Sequence, residues 1–297
     1  MKISRILTAA ITVTLTACGS GNEEYDATGT FESTEVTVSA EQNGRLMEFD
    51  VEEGDVVEAG HQVGLIDTVQ LYLKARQIGA TKIVYASQRP EIEKQIAATR
   101  QELDKARLEY ERYTGLVKDG AANQKQLDDA KSQMIVLEKK LTAQLSSLNT
   151  STNSLNAQMS TADVEKLQVL DQLAKCHIYS PITGTVLEKY TEPGEFASTG
   201  KPLFKVANID DMFLRAYVTT AQLENVKIGQ QVKVYADYGD GERKEYDGTV
   251  TWISSKSEFT PKTILTDDER ADLVYAVKIA VKNDGYIKIG MYGEVKL

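Results

Sequence analysis

The sequence predicts an elongated α+β fold in which a long antiparallel α-helical coiled-coil hairpin is inserted in a split β-sandwich and followed by a small β-barrel. Three observations predict it. Apolar residues recur every seven positions through most of residues 69–175, a glycine-punctuated motif stands once on each side of that stretch, and the C-terminal third alternates polar and apolar residues between turn signals.

The chain opens with Lys2 and Arg5 ahead of an apolar run over residues 6–17, too short to span a bilayer but of the length of a signal-peptide core. Residues 1–17 are therefore read as a signal peptide, and export is inferred. The run ends Leu15-Thr16-Ala17-Cys18-Gly19, which resembles the lipobox of bacterial lipoproteins. That resemblance implies that Cys18 carries lipid and becomes the new N-terminus, with residues 18–28 as a polar tether. Cys176 is then left without a disulfide partner in the mature chain and is expected to be a small buried hydrophobe.

Residues 29–67 and 176–207 form the two copies of the motif. Ser39-Ala40-Glu41-Gln42-Asn43-Gly44 matches Tyr179-Ser180-Pro181-Ile182-Thr183-Gly184, an offset of 140 positions (184 minus 44). At the same offset Gly54 matches Gly194 and Gly60 matches Gly200. These six glycines are expected at turns, where they supply positive φ without steric cost. Neither copy is long enough to bury a core alone, so the two are expected to pair as one sandwich around whatever separates them.

Residues 68–175 separate them. Leu71, Ile78, Tyr85, Ile92, Thr99, Ala106 and Tyr113 keep a seven-residue spacing, joined by Ile96, Leu103, Tyr110 and Val117. Leu127, Met134, Leu141, Leu148, Leu155, Ala162 and Val169 repeat the spacing on the return, which predicts a left-handed coiled coil. Each arm would reach roughly 75 Å at about 1.5 Å per residue. The tip lies near residues 119–123, where Gly120 can end one helix and Asn123 can cap the next. Pro90 predicts a kink or break in the first arm. Residues 146–156 are rich in weak helix formers, yet Leu148 and Leu155 hold the register, so helix is expected there too.

Residues 208–297 read as the barrel, with strands near 212–218, 231–236, 246–253, 274–281 and 291–297 and a capped short helix at Thr220-Ala221-Gln222-Leu223-Glu224. Residues 29–38 alternate as well and are read as a possible first barrel strand.

Composition narrows the function. A net charge of −10 and a pI near 4.9 disfavour nucleic-acid binding, which needs a basic face. His61 and His177, the two histidines, have no ligands at metal spacing, and Glu52-Glu53 and Asp267-Asp268-Glu269 sit in turn-like segments. No catalytic, cofactor or metal site is predicted.

The split motif resembles the lipoyl/biotinyl-like domain of HlyD-family periplasmic adaptors, the membrane fusion proteins. In lipoyl and biotin carriers a modified Lys occupies the turn between the halves, and here the hairpin replaces that turn. Val226-Lys227-Ile228-Gly229-Gln230 and the closing Gly290-Met291-Tyr292-Gly293 are similar to the adaptor barrel. Arg89-Pro90-Glu91, and Glu258-Phe259-Thr260-Pro261-Lys262-Thr263 followed by Asp272-Leu273-Val274-Tyr275, resemble adaptors that serve ABC-type exporters. The chain ends just after the last barrel strand, so the membrane-proximal domain of proton-driven pump adaptors is expected to be missing.

The resemblance implies a homo-oligomer of six copies in the periplasm, lipid-anchored in the inner membrane. It would join an inner-membrane ABC-type transporter, permease and ATPase, to a TolC-like outer-membrane channel. Adaptors that engage such channels carry an Arg, a Leu four residues on and a Ser seven further. Arg112, Leu116 and Asn123 hold those positions, with Asn replacing Ser. The alternatives are an adaptor of a proton-driven RND-type pump, a structural envelope coiled-coil lipoprotein, and a lipoyl or biotin carrier subunit.

Cys18→Ser is expected to leave the signal uncleaved or release the protein from membranes. Intact mass of the wild-type chain should show acyl chains, and their absence would reject lipidation.

Overall fold

The computed structural model describes residues 25–239, 242–259 and 273–297. The signal peptide, Cys18 and most of the tether lie outside the described residues, as do Thr260 to Thr263, Asp267, Asp268, Glu269 and Asp272. The chain divides into two compact units, one spanning Val36–Val206 and the other made of the residues up to Glu35 with Ala207–Leu297.

In the first unit β1 (Ala27–Ser39) delivers its last residues, followed by β2 (Gly44–Phe49), β3 (Val56–Val57) and β4 (Gln62–Ile66). After the hairpin come β5 (His177–Tyr179), β6 (Gly184–Lys189), β7 (Phe196–Ala197) and the start of β8 (Pro202–Thr219). The two copies of the motif pair by exchange. Gly44 and Arg45 face Ala197 and Phe196, while their equivalents Gly184 and Thr185 face Val57 and Val56. Turn amides obey the same rule: Gly54 N donates to Val186 O at 2.9 Å and Gly194 N to Leu46 O at 2.7 Å. Gly60 N reaches Ser180 O and Gly200 N reaches Ala40 O, both at 2.8 Å. Beside the β2–β4 pairing within the first copy, each copy thus completes its backbone bonding in the other, and one core, with Leu46, Val57 and Ile66 from one half and Val186, Leu203 and Phe204 from the other, is shared.

Gly54, Gly60, Gly194 and Gly200 have positive φ. Gly44 and Gly184 do not, which corrects the expectation for those two: they open strands β2 and β6. A Cβ on Gly44 would fall 2.6 Å from Ile66 Cγ2, so close packing rather than turn conformation requires glycine there.

One side chain breaks the symmetry. Lys189, whose equivalent in the first copy is Phe49, is almost wholly buried and holds Glu52 at 2.9 Å and Glu192 at 2.8 Å. Those two glutamates are themselves equivalent positions of the repeat. Its ammonium also lies 5.8 Å from the centre of the Phe49 ring. Hydrogen bonds to Glu192 and Glu52 hold the Lys189 pKa above its ordinary value despite burial.

The hairpin comprises α1 (Val69–Ser87), α2 (Ile92–Lys118) and α3 (Gln124–Ala174). Pro90 produces a break: α1 stops at Ser87 and α2 starts two residues past the proline. The return arm is one unbroken helix of 51 residues. Thr150 and Thr152 donate their hydroxyls to Ser146 O and Leu148 O, both at 2.9 Å, so their polar groups are satisfied inside the helix. The heptad positions form the seam, with Ile96, Thr99, Leu103, Ala106, Leu155, Ala162 and Val169 buried. Leu137 is buried against Leu103 and Ala106 and belongs to a second seam row that the single heptad series leaves out. Lys82–Asp163, Arg107–Glu138 and Lys140–Glu102 link the arms and set their relative height. Eight residues on from Lys82 and eight back from Asp163, Pro90 comes level with Leu155.

In the second unit β9 (Gln231–Gly239), β10 (Glu242–Phe259), β11 (Leu273–Lys282) and β12 (Tyr292–Lys296) join β1 and β8 in the order β1-β12-β9-β10-β11-β8, and β1 also pairs with β8. A Cβ on Gly29 would fall 1.9 Å from Arg215 O, which explains glycine where β1 meets β8. Phe31, Leu214, Val234, Ile279 and Val295 fill the core. The short helix α4 (Thr220–Leu223) has a capping box between Thr219 and Gln222. Strand β10 continues beyond the expected end at residue 253, because bulges after Val250 and Ile253 interrupt the alternation without ending the ladder.

Leu103→Asp would set an unpaired carboxylate against Ala106 and Leu137, at a cost of several kcal/mol. The helical circular-dichroism signal is expected to melt at lower temperature while the β-signal persists.

Candidate functional site: the hairpin tip

The tip is built by local bonds alone. Gly120, at φ 71°, ends α2. Its amide reaches Val117 O at 3.1 Å, and the Ala121 amide reaches Leu116 O at 2.7 Å. That pair of bonds is a Schellman motif, which satisfies the last carbonyls of α2. Two residues later Asn123 opens α3 with a capping box. Gln126 N donates to Asn123 Oδ1 at 3.0 Å, and Asn123 N donates to Gln126 Oε1 at 3.2 Å. Half-buried Tyr113, Val117 and Leu127 close the seam beneath the turn. The reversal is thereby rigid and leaves its outer surface to side chains.

Arg112 and Leu116 lie one helical turn apart on α2 and are both exposed. Arg112 donates to Glu109 Oε1 at 3.0 Å, a partner on its own helix that sequence reasoning missed, although Glu-x-x-Arg is visible as an i,i+3 pair. The third tip residue is differently employed, since the Asn123 side-chain oxygen is occupied by the cap. Arg112 and Leu116 therefore make up the outward-facing pair, and Asn123 holds the turn that carries them. Below them a groove of about 310 Å³ between α2 and α3 has Ala106, Ala130 and Leu137 for its floor and Glu102, Lys105 and Gln133 on its rim.

The groups that could carry chemistry are dispersed. Cys176 is fully buried at the foot of α3, and burial pushes its thiol pKa up, which favours the unreactive form. His177 Nδ1 lies 3.0 Å from Gln62 Oε1 and its ring stacks on Tyr179. Both carboxylates accept from Lys189, Glu52 Oε1 from its ammonium and Glu53 Oε1 from its backbone amide. Among the described residues no group of His, Cys, Asp or Glu could hold a metal, and no helix is long and apolar enough to cross a membrane.

A glycine-turned sandwich split by a long hairpin, with a β-barrel as a separate unit, is the architecture of an adaptor. The family described as RND MFP, barrel-sandwich hybrid domain, matches residues 34–208. The chain belongs to this family of membrane fusion proteins, which are periplasmic adaptors of efflux systems. It is 28% identical to a UPF0194 membrane protein of Yersinia pseudotuberculosis, covering 98% of this chain and 97% of the relative. It is 29% identical to the UPF0194 membrane protein YbhG of Salmonella gallinarum, covering 88% and 85%. The fold is shared with MacA from Actinobacillus actinomycetemcomitans, at a TM-score of 0.57 and 22% identity, with 91% of this chain and 76% of that one covered.

Asn123→Ala should lower hairpin stability by about 1 kcal/mol through loss of the cap, whereas Asn123→Ser should retain most of it. Thermal melts of the two variants check this, and equal melting of Asn123→Ala and wild type would contradict the capping role.

Proposed function

We propose that this protein is the lipid-anchored periplasmic adaptor of a tripartite efflux system, linking an inner-membrane ABC-type transporter to a TolC-like outer-membrane channel. The observation that carries the reading is the tip closed by its own capping bonds, with Arg112 and Leu116 exposed beside it. A guanidinium can bond carboxylates or helix-end carbonyls of a channel in forked geometry, and Leu116 adds an apolar contact one turn away. Export and acylation at Cys18 would hold the protein at the inner membrane, and six copies would close as a ring.

The ABC assignment is supported by Arg89-Pro90-Glu91 and by the Glu258 to Thr263 and Asp272 to Tyr275 segments, which resemble exporter adaptors of that class. The second reading is an RND-type pump, favoured by the description of the matched family. Affinity purification from membranes decides between them: a co-eluting permease and ATPase support the first, and an RND permease in their place supports the second.

Arg112→Glu with Leu116→Ser is expected to abolish export and cross-linking to the channel, yet leave folding and membrane attachment intact, because exposed positions contribute little stability. Wild-type efflux and cross-linking in that variant would overturn the assignment of the tip.

A further inference from the structure

The chain enters the barrel at the rim that carries α4. Asp26 is fixed there: its carbonyl oxygen accepts from the Gln222 side-chain amide, and its carboxylate accepts from the Leu297 amide at 2.7 Å. Its own amide donates to Val295 O at 3.0 Å. Eight positions (26 minus 18) separate Asp26 from Cys18. Fully extended, that length reaches roughly 28 Å at about 3.5 Å per residue. A lipid on Cys18 would accordingly hold the α4 rim within that distance of the bilayer surface.

The segment that follows α4 belongs to the same rim and turns apolar groups outward. Gly229 N donates to Val250 O at 2.8 Å and Val250 N donates to Gln230 O at 2.9 Å, which lays residues 227–230 against β10. The Lys227 amide donates to Gln230 Oε1 at 2.9 Å and Gly229 has a φ of 88°, so this turn is held by its own bonds. Its corner is Ile228, 69% exposed, where turns ordinarily carry polar residues. On the adjoining stretch of β10 stands Trp252, the single tryptophan of the chain. In an unbroken strand Trp252 would share the inward face of buried Val250. The bulge between them reverses the alternation, so that Ile253 packs on the core and Trp252 is 41% exposed. One exposed apolar side chain is ordinary, whereas a turn-corner isoleucine beside a tryptophan re-aimed by a bulge makes a contact surface.

The polar groups around this pair suit a lipid headgroup layer. Lys227 and Lys256 are exposed and make no ion pair with any described residue. Two neighbouring acids are engaged, Asp26 by the Leu297 amide and Glu258 by Arg215 at 2.7 Å, while Glu224 is exposed at the end of α4. Indole settles at headgroup level in a membrane, an aliphatic side chain enters beside it, and an ammonium meets lipid phosphate.

We infer that the barrel rim formed by Lys227-Ile228-Gly229 and Trp252 docks on the bilayer that holds Cys18, with Ile228 and the indole in the interface and Lys227 at lipid phosphate. The inference rests on the lipid-anchor reading and adds a contact with lipid made by the barrel itself. Lipid is favoured over a protein occupant because the tether keeps this rim near the bilayer whether or not a transporter is bound.

The test uses the mature protein purified from its membranes and reconstituted alone into vesicles of phosphatidylethanolamine and phosphatidylglycerol, with and without lipids brominated near the top of the acyl chains. Emission then reads Trp252 directly. Brominated vesicles should lower it about twofold. Ile228→Asp should float with the vesicles and keep the wild-type circular dichroism, yet lose the quenching, and Lys227→Glu should weaken it. Emission unchanged by bromine in wild-type protein that floats would overturn the docking and leave the anchor standing. Wild-type quenching in Ile228→Asp would mean that the turn makes no contact, and would overturn the docking as well. A blue shift that appears only beside a co-purified permease would assign the rim to a protein partner instead. Protein that carries no acyl chain by intact mass and fails to float would reject the anchor, and this inference with it.

Discussion

Antiparallel pairing of β4 with β5 is the interaction on which the rest of the hairpin unit depends. These two strands flank the hairpin in sequence, and Leu65 and Gly64 face His177 and Ile178. The Ile66 amide closes the ladder on Cys176 O at 2.9 Å, at the foot of α3. Chain entry and exit are therefore fixed side by side before the first helical turn. A loop of that length would be entropically costly to close if it were flexible, and a helical pair that returns on its own seam removes most of that cost. The register imposed at the feet is carried up the arms by the seam and by Lys82–Asp163, Arg107–Glu138 and Lys140–Glu102.

Exchange pairing gives the sandwich a second property. Because Gly54 and Gly194 bond into opposite copies, neither half completes its backbone bonding without the other, so the sandwich and the feet of the hairpin form as one cooperative object. Lys189 strengthens this at one point by holding the two equivalent glutamates together over the Phe49 ring. A symmetric repeat could not do so, since two lysines at that spot would repel and two phenylalanines would leave both carboxylates unpaired.

The hairpin combines two mechanical regimes. Its tip is held by a Schellman turn and a capping box, bonds that need nothing beyond a few neighbouring residues, so an outward pair such as Arg112 and Leu116 is presented from a stiff support. Midway, the interruption at Pro90 lies level with the threonine-rich part of α3, where hydroxyls bonded to the preceding turn favour bending. One arm is interrupted and the other continuous at the same height.

Features that rest on local spacing were legible in the residues alone. Heptads from Leu71 to Val169 specified the arms, Pro90 the interruption, and Gly120 with Asn123 the reversal, because each depends on contacts within a turn or two of helix. The 140-residue offset likewise identified Gly54, Gly60, Gly194 and Gly200 as turn positions. Tertiary structure alone decided which copy each strand pairs with, that Gly44 is needed for its closeness to Ile66, and that Lys189 joins Glu52 to Glu192. It also separated the two roles at the tip, where Asn123 caps and Arg112 with Leu116 faces outward. The continuation of β10 through its bulges and the burial of Leu137 were hidden for the same reason. Each is settled by groups more than a helical turn apart in sequence, and no periodicity along one chain records where a distant backbone or side chain will arrive.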